Sequence, residues 1–226
     1  EMLKMRTRTF IIGMTLLLAL VVAQGTGQVQ ANPGTTTRVS VPNLDDQGIL
    51  GTEGNGDSAR PSGAGISADG RFVAFQSRAT NLVLGDTQLC GPTVNCVDIF
   101  VHDRDTGATT RVSVPNLADQ GDLGTQATGS STSTPSLSAD GRFVAFASTA
   151  NNLTLEKNDQ APGGACCTDI FVHDLQTGAT TMVSVNSSGA PGNNSSGREP
   201  VISADGRYVA FDSGAFNLVT GDTNGD

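Results

Sequence analysis

The chain has 226 residues and a formal net charge of −9, with no Trp, one Tyr and 28 Gly. That composition suits many short strands joined by turns. With no cluster of Lys and Arg beyond the extreme N-terminus, it excludes a broad electrostatic grip on nucleic acid or anionic lipid, because binding phosphates requires concentrated cations.

The first element in chain order is a processing segment. Lys4, Arg6 and Arg8 form a basic start, Phe10 to Ala23 is uncharged and mostly apolar, and Val29-Gln30-Ala31 places small residues where a signal is cut. Residues 1–31 are therefore expected to be a secretory signal cleaved after Ala31. The alternative, a retained anchor, suffers from an apolar run shorter than the ~20 residues a spanning helix needs. No stable membrane span is expected after cleavage, and the mature chain is expected in the periplasm or outside the cell. Starting at Glu1 and stopping in "NLVTGDTNGD", the chain reads as a piece of a longer exported protein.

From Thr35 onward the sequence repeats itself. "ISADGRFVAFQS" begins at Ile66, "LSADGRFVAFAS" at Leu137 and "ISADGRYVAFDS" at Ile202. The first two blocks are followed by "DIFVHDRDTGATTRVSV" from Asp98 and "DIFVHDLQTGATTMVSV" from Asp169. An isolated copy of the last piece, "TTTRVSVPNLDDQG", begins at Thr35. Self-similarity at a fixed period outranks local propensity in deciding a fold. Each repeat divides into four short apolar stretches, and the turns between them carry Asp and Gly suited to tight hairpins: Asp69-Gly70, Asp140-Gly141 and Asp205-Gly206. Four antiparallel strands per repeat predict an all-β protein built of β-propeller blades. A β-helix is the runner-up, but its rungs are much shorter. The blades fall at 64–114 and 135–185, with a partial blade at 200–226 and an orphan fourth strand at 35–41. The expected shape is an incomplete arc of two full blades and parts of others, within one region at 32–226.

"SADGRFVAF" followed by "DIFVHDRDTG" resembles the WD-like propeller repeat of the TolB family, whose blades typically read Ser-Pro-Asp-Gly-Lys/Arg, an apolar strand, then Asp-Ile/Leu-Tyr/Phe-Val. The resemblance covers almost everything from Thr35 onward and implies the repeat rather than TolB as a whole. Ala68, Ala139 and Ala204 depart from it, standing where that family usually has Pro.

Four groups of residues invite a chemical reading. His102 and His173 share one position of the third strand, each followed by Asp103 or Asp174. Metal binding or general-base work is conceivable, but equivalent residues of neighbouring blades are held apart, which favours buried hydrogen-bonding histidines. The turn aspartates fit hairpin geometry better than catalysis. Cys90, Cys96, Cys166 and Cys167 are disulfide candidates in an exported chain. Cys90 with Cys96 would staple one loop, whereas the adjacent Cys166 and Cys167 lie closer than an unstrained disulfide prefers. Asp222, Asn224 and Asp226 resemble the opening of a calcium loop, although the matching loops of other repeats do not keep the pattern; a solvated acidic turn is the alternative. No other cofactor is implied.

No catalytic constellation is legible. The innermost strands read "AGIS", "PSLS" and "PVIS" without an adjacent base, and no nucleophile-elbow sequence is present. The leading expectation is a non-enzymatic binding or scaffolding module whose long loops engage an envelope protein or a cell-surface glycan. The alternatives are the propeller part of a larger hydrolase, of peptidase or glycosidase type, with its catalytic domain elsewhere, and a calcium-stabilised surface adhesin.

Overall fold

A computed structural model describes residues 36–58, 63–90, 94–155 and 167–221. The expected signal segment at 1–31 lies outside the described residues. So do Cys166 and the proposed calcium ligands Asp222, Asn224 and Asp226.

The described chain is mostly β. Strands β1 (Gly65–Ile66), β2 (Phe72–Ser77), β3 (Asp98–Asp103) and β4 (Thr109–Arg111) form one antiparallel sheet in the order β1-β2-β3-β4. Strands β5 (Ser136–Leu137), β6 (Phe143–Ser148), β7 (Asp169–Asp174) and β8 (Ala179–Met182) repeat it. Strands β9 (Val201–Ile202) and β10 (Val209–Ala210) form a hairpin. Register is the same in both sheets: Val73 lies opposite His102 and Val144 opposite His173.

The second and third strands are apolar without a two-residue alternation because both faces of the sheet are covered. On one face of the first sheet Phe75 and Phe100 pack with Ala79, Leu82 and Val39. On the other, Ala74, Ile99, Val101 and Val112 share a core with Val144, Phe146, Leu153 and Phe171 of the next repeat. Neither repeat could bury these faces alone, so each depends on its neighbour.

Residues 36–41 carry fourth-strand sequence but belong to no ladder. The orphan strand expected there is thus not formed among the described residues. Its counterparts β4 and β8 pair with "DIFVHD" strands of their own sheets, and no described strand of that kind precedes residue 36.

The long stretches between sheets are more ordered than loops. A 3-10 turn (Leu44–Asp46) runs into the short helix α1 (Gln47–Leu50), and the same pair recurs at Leu117–Asp119 and α2 (Gln120–Leu123). The Asn116 side chain donates to Asp119 at 2.7 Å, as Asn43 does to Asp46 at 3.2 Å.

Candidate interaction site

In the two complete sheets the repeated Ser, Asp, Arg and His side chains hold one repeat together or join it to the next. In the "SADGR" turn, the Ser67 hydroxyl donates to Asp69 at 2.6 Å and accepts from the Phe72 amide, while Asp69 accepts from the Arg71 amide. The turns at Asp140 and Asp205 repeat these bonds. Hydrogen bonds from Ser hydroxyls, then from backbone N–H groups, lower the pKa of all three aspartates.

The alanines of the same turns are what sequence reading missed. Ala68 N–H donates to the Ala139 carbonyl at 2.9 Å, and Ala139 N–H to the Ala204 carbonyl at 2.9 Å. A chain of amides thus links three successive turns. Proline has no N–H and could not make these bonds, so the departure from the resembled motif was the available signal.

Arg71 and Arg142 each grip a third-strand carboxylate through two bonds. Nε and Nη2 donate to Asp103 at 2.9 and 2.7 Å, and likewise to Asp174. Both guanidinium groups also lie over the following Phe ring, 4.7 Å from its centroid. The arginine bonds hold Asp103 and Asp174 well below the usual carboxylate range.

His102 and His173 are buried beside these aspartates. Nδ1 of His173 lies 3.0 Å from Thr180 Oγ1, which donates to the Val114 carbonyl at 2.8 Å. A hydroxyl has one proton, and it is committed to Val114, so His173 Nδ1 is the donor. His102, Thr109 and the Val41 carbonyl form the same relay at 3.0 and 2.7 Å. In each case the threonine bonds to the carbonyl of the segment preceding its own sheet. Burial lowers the pKa of both histidines, that of His173 to about 4.

Asn81, Asn152 and Asn217, each followed by Leu, were also missed. The Asn152 side chain donates to the Leu123 and Gln126 carbonyls and accepts from the Thr128 amide. Asn81 does the same for Leu50, Glu53 and Asn55. Leu82 and Leu153, the residues after them, are fully buried. The recurring Asn-Leu pair was the available signal. These clamps hold stretches that otherwise read as free loops.

Residues 78–90 and 94–97 combine anchorage with exposure. Cys90 and Cys96 are joined by a disulfide. The Cys90 amide donates to the Val94 carbonyl at 2.8 Å, and Arg78 holds the Asn95 carbonyl at 2.9 Å. Gln126 and Ser130 of the next repeat bond to Thr87 and Val97. Beneath these residues, Asp86 and Arg111 form a buried ion pair at 2.9 Å, and burial raises the Asp86 pKa against the pull of Arg111. Yet Leu84, Leu89 and Val94 remain 54%, 54% and 49% exposed. Cys167 is buried at the equivalent place before β7.

Asp98, opening β3, is buried and accepts from the Ser113 hydroxyl at 2.6 Å; burial pushes its pKa up to about 6. Among the described residues, no three His, Cys, Asp or Glu side chains form a metal-ligand group. Among the same residues, no helix is long and apolar enough to cross a membrane.

No family model matches the chain, and no curated protein matches it. Among solved structures it is similar to the crystal structure of the tricorn protease, at 15% sequence identity and a TM-score of 0.36. The likeness covers 66% of this chain and 10% of that one. The chain thus spans about a tenth of the protease's length, and a likeness this low carries no argument about activity.

Proposed function

We propose that the chain is an exported arc of TolB-like propeller blades acting as a binding or scaffolding module, not as an enzyme. Its partner is an envelope protein or a cell-surface glycan. The observation that carries this reading is at residues 78–90 and 94–97, where Leu84, Leu89 and Val94 stay exposed on backbone held by a disulfide and by the next repeat. Apolar groups on a fixed backbone lose little conformational entropy when a partner covers them. The repeated His, Asp and Arg side chains support a scaffold as well, since all of those in the two complete sheets are engaged within or between repeats. Four-stranded meanders that share a core across repeats support the blade arrangement.

The test uses the full chain, biotinylated and applied both to a glycan array and to cross-linking on isolated cell envelopes. Leu89→Ser with Val94→Ser should abolish capture by the array or by an envelope protein while leaving the urea unfolding curve unchanged. The proposal is wrong if that variant retains capture while Asp69→Asn, in the opposing hairpin turns, loses it.

A further inference from the structure

Arg111 is a buried cation at a position where the next repeat has methionine. Its side chain is 9% exposed and that of Asp86, its partner at 2.9 Å, is 4% exposed. Arg111 lies opposite Phe100 as Met182 lies opposite Phe171, and Met182 belongs to the apolar core. The fold thus accepts an apolar side chain at this position, and a buried ion pair is weak support for stability beside apolar packing of similar volume. Arg111 also leaves a bond unmade: its Nε is buried and has no hydrogen-bond partner.

A second buried carboxylate lies beside it. Asp98 and Phe100 are two residues apart on β3 and share one face of the sheet, as does Arg111, which is paired with Phe100. Diagonal neighbours of this kind stand about 7–8 Å apart, within reach of an arginine. Asp86 and Asp98 flank the segment closed by the Cys90–Cys96 disulfide. The Gln88 amide and Arg111 hold the first, and Ser113 Oγ donates to the second at 2.6 Å. One cation therefore faces two carboxylates, one at each end of that segment. Arg111 and Asp86 are the charges that act on Asp98. Its neighbour on β2, Ser77, is neutral, Arg78 is turned to the Asn95 carbonyl, and Asp57 meets this end of β2 through its backbone carbonyl.

We propose that Arg111 is a two-position latch on the disulfide-bearing segment, closed on Asp86 while Asp98 is protonated and drawn to Asp98 when that carboxyl ionises. In the second position the free Nε gains a carboxylate partner, Asp86 loses its hold, and residues 86–90 and 94–97 loosen. Burial holds the Asp98 pKa up at about 6 in the closed form, against the Ser113 hydrogen bond and the charge of Arg111. Pairing with Arg111 lowers it in the open form, so acid favours the closed form and rising pH the open one. Leu84, Leu89 and Val94 are carried by this part of the chain, and the latch sets how firmly they are presented. The latch itself does not depend on the loop partner proposed above.

The test is amide hydrogen exchange on the full, oxidised chain without any partner, read as protection factors so that the intrinsic pH dependence of exchange cancels. The amides of Thr87, Cys90, Cys96 and Val97 are all bonded in the closed segment. They should lose about tenfold in protection between pH 5 and 7, while those of β6 and β7 keep theirs. Asp98→Asn should leave the four amides protected at both pH values. Arg111→Met, which copies the second sheet, should leave them poorly protected at both. The proposal is overturned if their protection does not fall with pH, if β6 and β7 lose protection in parallel, if Asp98→Asn keeps the native pH dependence, or if Arg111→Met does. Because the readout needs no partner, its failure is separate from a failure of loop binding.

Discussion

The close packing of one repeat on the next can be tested at a single hydrogen atom. Gly141 has φ near 73°, and a Cβ built on it would stand 2.7 Å from Cγ and 3.0 Å from Cβ of Phe72 in the preceding repeat. Gly206 meets the Phe143 ring in the same way. Gly141→Ala therefore carries two costs: about 1–2 kcal/mol for placing a non-glycine residue in the left-handed region, and about 1–3 kcal/mol for displacing the ring. Gly85 separates the two, because its φ is 77° and nothing lies within 4 Å of a Cβ there. Gly85→Ala should show the backbone cost alone, and Gly141→Ala should exceed it by about 2 kcal/mol. Combining Gly141→Ala with Phe72→Ala removes the obstruction, so the double variant should be less destabilised than the sum of the singles by about the same amount. Urea unfolding followed by far-ultraviolet circular dichroism suits a chain without Trp. Equal costs for the two glycine substitutions, together with additivity of the pair, would refute the claim that the ring packs on Gly141.

Thr180→Val strands both His173 Nδ1–H and the Val114 carbonyl, and should cost about 2–4 kcal/mol in the same unfolding assay, given about 1–3 for each buried group left without a partner. Asn152→Ala should open residues 123–128 to amide exchange and cost about 1–3 kcal/mol; unchanged exchange there would argue against the clamp. Reducing the Cys90–Cys96 disulfide, which closes a loop spanning six positions, should remove about 2 kcal/mol, measured as a shift in the urea midpoint with and without reductant. Across pH 4 to 6.5 the buried His173 and Asp98 act with opposite sign. His173, at about 4 against an ordinary 6.5, costs stability as pH falls, because the unfolded chain takes up the proton first. Asp98, at about 6 against an ordinary 3.8, adds stability over that fall, because the fold takes up its proton first. Asp98→Asn removes that opposing contribution, so stability should fall between pH 6.5 and 4 by about 2 kcal/mol more than in the native chain; urea midpoints across that range decide it.

What could be read from the chain divides along the line between local and non-local bonding. Strand content, the Asp-Gly turns and four stretches per repeat are written within short windows, and β1 to β8 lie where those windows place them. The roles of Ala68, Ala139 and Asn152 are not, since their bonds run to a neighbouring repeat or to carbonyls 26 and 29 residues away. Nor is the partner of His173: its threonine lies seven residues on, but that threonine is fixed by the Val114 carbonyl, 66 residues from Thr180. Strand formation shows the same limit. Residues 38–41 and 111–114 share the sequence Arg-Val-Ser-Val, yet the ladder includes Arg111 and none of residues 36–41. Arg111 lies in β4, which pairs with the "DIFVHD" strand β3. "GRYVAF" at 206–211 likewise carries second-strand sequence but pairs over only two residues, and no described strand lies on its second edge. "DIFVHD" lies between two strands in each sheet, and in the second its aspartate and histidine add the grip of Arg142 and the relay through Thr180 to the ladders it makes with both.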